Sequence, residues 1–108
     1  MDLQTGEKRA LKYCSIDELK EIQDEIAMQS MNQHPNIVRL YEAFLTDTQI
    51  CMAMELMTGG MLTECCLTTE PMPERFIAYV AKSALQGFAF MHRNWRIHRD
   101  IKSDNILV

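Results

Sequence analysis

Near the end of the chain, six consecutive residues hold groups that could do chemistry together. Asp100, Lys102 and Asn105 lie in this stretch, flanked by isoleucines. Burying such groups is costly unless they pair with one another or with a ligand. An aspartate that accepts a proton, a lysine that neutralises charge and an asparagine that binds a metal would suit phosphoryl transfer, which depends on positioning and electrostatics. The alternative interpretation is a salt-bridged surface turn.

The first half of the chain supplies elements that could position this stretch. A short strand is predicted over Arg9–Cys14. Ser15 then begins a helix with Glu18 as the partner in a capping box, and the helix is expected to end before His34-Pro35.

A hairpin and two helices follow in the predicted order. Strands over 37–44 and 49–55 form the antiparallel hairpin. A short helix is predicted over 61–67 and a long one over 74–93, whose broad apolar pattern indicates a buried helix. This order predicts an α+β fold with two segregated parts.

Composition narrows the classes of function. The chain has 108 residues, 47% of them apolar, and a net charge of −4, so no basic surface predicts a nucleic-acid partner. Without a long apolar run or a signal-peptide pattern we expect no membrane span and an intracellular, cytoplasmic location. The four cysteines are expected to be reduced, and a zinc site is not favoured.

The string His98-Arg99-Asp100-Ile101-Lys102-Ser103-Asp104-Asn105 decides between these interpretations. It resembles the catalytic loop of protein kinases, H-R-D-(L or I)-K-x-x-N, at every fixed position. The resemblance implies that Asp100 accepts the proton of the substrate hydroxyl. It also implies that Lys102 acts beside Asp100 in catalysis and that Asn105 binds Mg²⁺.

Earlier residues are similar to the family in the order that it requires. Ala10-Leu11-Lys12 resembles the V-A-I-K strand, which makes Lys12 the partner of the α- and β-phosphates of ATP. Glu25 then resembles the glutamate that pairs with this lysine. Because Gln29 stands where relatives have an apolar residue, a shift of one residue, with Asp24 in the ion pair, stays open.

The adenine site is likewise implied by resemblance. Met54 corresponds to the gatekeeper, and the backbone groups of Glu55 and Met57 to the hinge that meets the adenine edge. Ala10 would lie above the base and Leu107 below it.

The resemblance covers the whole chain and implies a partial bilobal protein-kinase fold. Residues 1–55 would form part of the N-lobe, 56–60 the hinge, and 61–108 the start of the C-lobe through the catalytic loop.

The implied activity is ATP-dependent and Mg²⁺-dependent phosphorylation of Ser or Thr in a protein substrate. Lys102 follows the serine/threonine pattern, and the subfamily stays open between Ste-group and calcium/calmodulin-dependent kinases. Arg99 before the aspartate implies regulation by an upstream activator that phosphorylates the activation loop.

The sequence contains neither G-x-G-x-x-G nor D-F-G. We therefore expect the isolated fragment to be inactive and to aggregate or stay molten, with the activity belonging to a longer parent. The alternative is a catalytically inactive truncated kinase that acts as a protein-binding module.

Overall fold

The computed structural model describes residues 5–31, 33–67 and 70–108. These form two compact units, Met1–Leu56 and Met57–Val108. The boundary falls at the beginning of the segment 56–60 that the sequence assigns to a hinge.

The first unit contains a three-stranded antiparallel sheet. Its strands are β1 (Arg9–Ser15), β2 (Leu40–Leu45) and β3 (Gln49–Glu55), in the spatial order β1-β3-β2. The predictions for β1 and β3 are confirmed. The prediction that β2 begins at residue 37 was wrong, because Ile37 donates its N–H to the carbonyl of His34 at 3.0 Å and closes a turn after Pro35 instead of pairing with β3.

A 3-10 turn (Ile16–Glu18) leads into helix α1 (Leu19–Met31). Ser15 caps this element as predicted, but its hydroxyl accepts the N–H of Asp17 at 3.2 Å. Glu18 was therefore the wrong capping partner. The tighter winding of the 3-10 turn explains the difference, because it shortens the spacing between cap and donor. The helix ends before His34-Pro35, as predicted.

The core of the first unit lies between α1 and one face of the sheet. Ile22 from α1 packs with Leu40 from β2 and with Ile50 and Met52 from β3. Met52 is fully buried, and the alternation along β3 places Ile50, Met52 and Met54 on this same face. The sheet is therefore anchored to α1 through buried residues of both β2 and β3.

The second unit contains α2 (Leu62–Cys66), α3 (Glu74–Arg93) and a 3-10 turn over Ser103–Asn105. The bounds predicted for α3 are confirmed, but the prediction of a buried helix was wrong within this chain. Only Gly87 and Met91 of α3 are buried, whereas Ile77 is half exposed. The short α2 and the terminal loop do not offer enough surface to cover twenty helical residues. Over the described ranges, no helix combines the length and the apolar character needed to cross a membrane.

We predict that Met52→Ala lowers the free energy of unfolding of the first unit by about 2–5 kcal/mol, because it empties a fully buried site between α1 and the sheet. Leu45→Ala on β2 is the matched control, since Leu45 is 61% exposed. Urea unfolding of the complete gene product, followed by circular dichroism, measures the effect of both variants. Equal losses for the two variants would contradict this assignment of the core.

Candidate functional site

The side chain of Asn105 ties the terminal loop back to Asp100. Its Nδ2 donates to the backbone oxygen of Asp100 at 2.8 Å and to the carboxylate Oδ2 at 2.9 Å. Both partners are acceptors, so the amide orientation of Asn105 is fixed by these contacts. The 3-10 turn over Ser103–Asn105 provides the curvature that brings the two residues together.

Lys102 lies on the same carboxylate, with its Nζ 3.4 Å from Oδ2 of Asp100. The hydrogen bond from Asn105 and then that from Lys102 lower the pKa of Asp100 below its ordinary value, and the slight burial of the group opposes them. The lowered pKa favours the ionised form, so Asp100 is a carboxylate at neutral pH. The exposed carboxylate of Asp100 is suited to accept a hydrogen bond from a hydroxyl group.

The backbone before Asp100 is held in an unusual conformation. Arg99 has a φ of 69°, in the left-handed region that side chains other than glycine rarely adopt. The N–H of Asp100 donates to Nδ1 of His98 at 3.2 Å, and the ring of His98 packs edge-on against Phe88 of α3 with centroids 6.2 Å apart. His98 and Phe88 thus fix the turn that presents Asp100.

The first unit contributes a separate ion pair. Nζ of Lys12 on β1 lies 2.8 Å and 3.0 Å from the two carboxylate oxygens of Glu25 on α1. The structure therefore pairs Lys12 with Glu25 and not with Asp24. This register leaves Oε1 of Gln29 buried without a hydrogen-bond partner among the described residues, a cost of about 1–3 kcal/mol.

Comparisons with known proteins indicate the same family as the motif of the terminal loop. The family model for the protein kinase domain matches residues 1–108. The chain belongs to the protein kinase family. The serine/threonine-protein kinase PAK 1 of Mus musculus is 39% identical over 111 residues, which cover 100% of this chain and 20% of that protein.

Two further relatives support the same assignment. Mitogen-activated protein kinase kinase kinase kinase 3 of Homo sapiens is 36% identical over 110 residues, 99% of this chain and 12% of that protein. The serine/threonine-protein kinase pakB of Dictyostelium discoideum is 39% identical and matches 98% of this chain. The predicted resemblance to serine/threonine kinases is confirmed. The chain spans only about an eighth to a fifth of these relatives.

Of the residues that the sequence predicts to contact adenine, Ala10, Met54 and Glu55 belong to the first unit, and Met57 and Leu107 belong to the second. Ala10 pairs across the sheet with Met54, and Lys12 with Met52, so Ala10, Lys12 and Met54 share the face of the sheet that α1 covers. In the second unit Leu107 forms a β-bridge with Met61. Glu55 ends the first unit's sheet and Met57 begins the second unit.

Sequence reasoning missed the residues that anchor the catalytic loop. The N–H of Leu62 donates to Ile106 O at 2.8 Å, and the N–H of Gly59 donates to Val108 O at 2.8 Å. A side chain on Gly59 would collide with this same carbonyl oxygen. Glycine is needed at position 59 because two backbone segments approach each other closely there. In the sequence, Gly59 and Gly60 indicated only a break between elements and not this close approach.

Thr63 is the other missed anchor. Its hydroxyl donates to Asp104 Oδ1 at 2.6 Å and lies 2.8 Å from Ser103 Oγ. These contacts connect α2 to the 3-10 turn of the catalytic loop across forty residues of sequence. No local pattern connects residues so far apart, so only the fold shows this contact.

The donor set of the loop fits a magnesium ion bound with a nucleotide. With its Nδ2 committed to Asp100, Asn105 keeps Oδ1 as an amide oxygen without a hydrogen-bond partner in the described parts of the chain. Mg²⁺ prefers such oxygen ligands and usually takes few from the protein, because it keeps waters and binds phosphate oxygens. The described residues contain no cluster of three His, Cys, Asp or Glu side chains that would hold a metal by itself.

We predict that Asn105→Ala and Lys102→Met each raise the pKa of Asp100 towards its ordinary value, because each removes a hydrogen bond that lowers it. Stability that comes from the lowered pKa is present above the ordinary value and is lost as pH falls through the lowered one. Aspartate carboxyl ¹³C NMR titration measures the shift. Lys82→Met serves as the control, since Lys82 does not act on Asp100; an unchanged pKa in Asn105→Ala would contradict the assignment.

Proposed function

We propose that the complete gene product transfers the γ-phosphate of ATP to a serine or threonine hydroxyl of a protein substrate. The observation that carries this proposal is the arrangement of Lys102 and Asn105 around one ionised carboxylate, that of Asp100. Membership of the kinase family and the names of the relatives support the same reaction.

Asp100 orients the substrate hydroxyl and accepts its proton as the oxygen attacks the γ-phosphorus. Lys102 lies beside the same carboxylate, where its positive charge offsets the negative charge that develops on the transferring phosphoryl group. Asn105 holds Asp100 through its Nδ2 and would offer Oδ1 to the metal. Magnesium supplies charge neutralisation on the phosphates when bound.

Lys12 binds the α- and β-phosphates in this proposal, and Glu25 positions it. The pair is about two-fifths exposed on each side chain, so the bond itself adds little to stability, about 0–1 kcal/mol. Because the ion pair adds so little to stability, we assign it a different role. Its two short hydrogen bonds orient Nζ of Lys12. Ala10, Met54, Glu55, Met57 and Leu107 would enclose the adenine.

We also propose how the protein is regulated and where it is located. Arg99 precedes Asp100 in the sequence, and its guanidinium would bind a phosphate on an activation loop. An upstream kinase that adds this phosphate is therefore the proposed activator. We place the protein in the cytoplasm, with a protein substrate as its partner.

The test is phosphate transfer by the purified complete gene product to a serine/threonine peptide library, with labelled ATP and Mg²⁺. We expect Asp100→Asn to lower kcat by about 10²–10⁴-fold, the usual contribution of a positioned proton acceptor. Asp104→Asn is the matched control, since the amide oxygen can still accept the hydrogen bond from Thr63.

Equal activity in the wild type and Asp100→Asn would contradict the mechanism. Binding of Mg-ATP without any transfer would favour the alternative, a catalytically inactive kinase that works as a protein-binding module. Phosphotyrosine in the product would overturn the serine/threonine assignment.

A further inference from the structure

A cluster of two arginines and a tyrosine lies where the three strands of the first unit approach Glu55. The guanidinium of Arg9 lies over the ring of Tyr41, 3.7 Å from its centroid, and that of Arg39 lies 5.0 Å from the same centroid. Arg9 belongs to β1, Tyr41 to β2, and Arg39 to the segment before β2. We call Arg9, Arg39 and Tyr41 the arginine-tyrosine clamp.

Tyr41 occupies an irregular position in its strand. Leu40 pairs with Met54 and Glu42 with the next residue of β3, Ala53, so Tyr41 is the extra residue of a β-bulge. A bulge redirects a side chain and breaks the regular ladder. Here the ring reaches past the central strand to Arg9 on β1, a contact that regular pairing of β2 with β3 does not provide.

The clamp is bonded directly to the last residue of β3. The backbone N–H of Glu55 donates to Arg39 O at 2.8 Å, and the N–H of Arg39 donates to Oε2 of Glu55 at 3.2 Å. On its other side Glu55 pairs with Arg9 of β1. Both arginines over the Tyr41 ring are thus neighbours of Glu55, one on each side of it.

Two cations next to each other repel, so this arrangement needs a group that stabilises both. The negative face of a tyrosine ring does so by cation–π attraction. The Glu55 carboxylate is bonded to the Arg39 backbone, and that of Glu7 lies 3.8 Å from the Arg9 guanidinium. Without the Tyr41 ring, the Arg9 and Arg39 side chains would lose a group that both of them contact.

We propose that Tyr41 is a positioning residue for the adenine subsite, which acts through Arg9 and Arg39 to fix the backbone of Glu55. The inference rests on the proposed function, in which the Glu55 backbone meets the adenine edge. The contacts between the clamp and Glu55 lie within the first unit, and Lys12 pairs with Met52 of β3, three residues before Glu55. We therefore expect the clamp to act on recognition of the base and to leave the binding of phosphate unchanged.

The test compares two competitors of ATP on the complete gene product: adenosine, which carries the base, and inorganic tripolyphosphate, which carries only the phosphates. We expect Tyr41→Leu to weaken inhibition by adenosine about three- to tenfold, the size of one or two cation–π contacts. Inhibition by tripolyphosphate and kcat should stay within twofold. Tyr41→Phe, which keeps the ring, should restore adenosine binding.

Two further variants complete the design. Arg39→Met removes the guanidinium but keeps both backbone hydrogen bonds, and we expect it to act in the same direction as Tyr41→Leu. Phe44→Leu is the matched control, because Phe44 is an aromatic residue of the same strand that is 48% exposed; we expect it to leave both competitors unaffected.

Equal weakening of adenosine and tripolyphosphate in Tyr41→Leu would overturn the inference, because it would show general destabilisation of the unit. Unchanged adenosine inhibition would overturn it as well. A wild-type protein that binds neither competitor would overturn the proposed function and this inference with it, an outcome distinct from the other two.

Discussion

The two hydrogen bonds from the Asn105 amide to Asp100 hold the shape of the catalytic loop and favour the ionised form of its carboxyl group. One reaches the backbone and the other the carboxylate, so a single side chain closes the loop and, together with Lys102, lowers the pKa of Asp100. Further hydrogen bonds of the second unit support this closure. The backbone bonds of Gly59, Gly60 and Leu62 hold the chain after Asn105, and the His98 ring holds the chain before Asp100.

The first unit meets a different constraint. Its sheet and helix α1 must bring Lys12 and Glu25 within hydrogen-bonding distance of each other. The buried cluster of Ile22, Ile50 and Met52 sets the distance between α1 and the sheet. At that distance Lys12 and Glu25 make two short hydrogen bonds in spite of their exposure. Apolar packing therefore supplies the stability, and the ion pair supplies orientation.

Local patterns predicted the elements well, and they failed where distant contacts decide. The predictions of β1, β3 and α3, each made from residues within the element, agree with the structure. The beginning of β2 was wrong because a turn bond after Pro35 competes with the ladder. The literal motif predicted which residues of the loop come together, but nothing in the sequence indicated the bulge at Tyr41 or the hydrogen bond from Thr63 to Asp104. Both depend on residues brought together only by the fold.

Lys12 is proposed to bind the phosphates of ATP, so it should contribute to the affinity of the complete gene product for Mg-ATP. We expect calorimetric titration to show saturable binding that Lys12→Met weakens about 10- to 100-fold, the worth of a charge-assisted hydrogen bond. Lys20→Met, which removes an exposed lysine on α1, is the control and should bind like the wild type. Equal affinity in Lys12→Met and Lys20→Met, or no saturable binding in the wild type, would contradict the account.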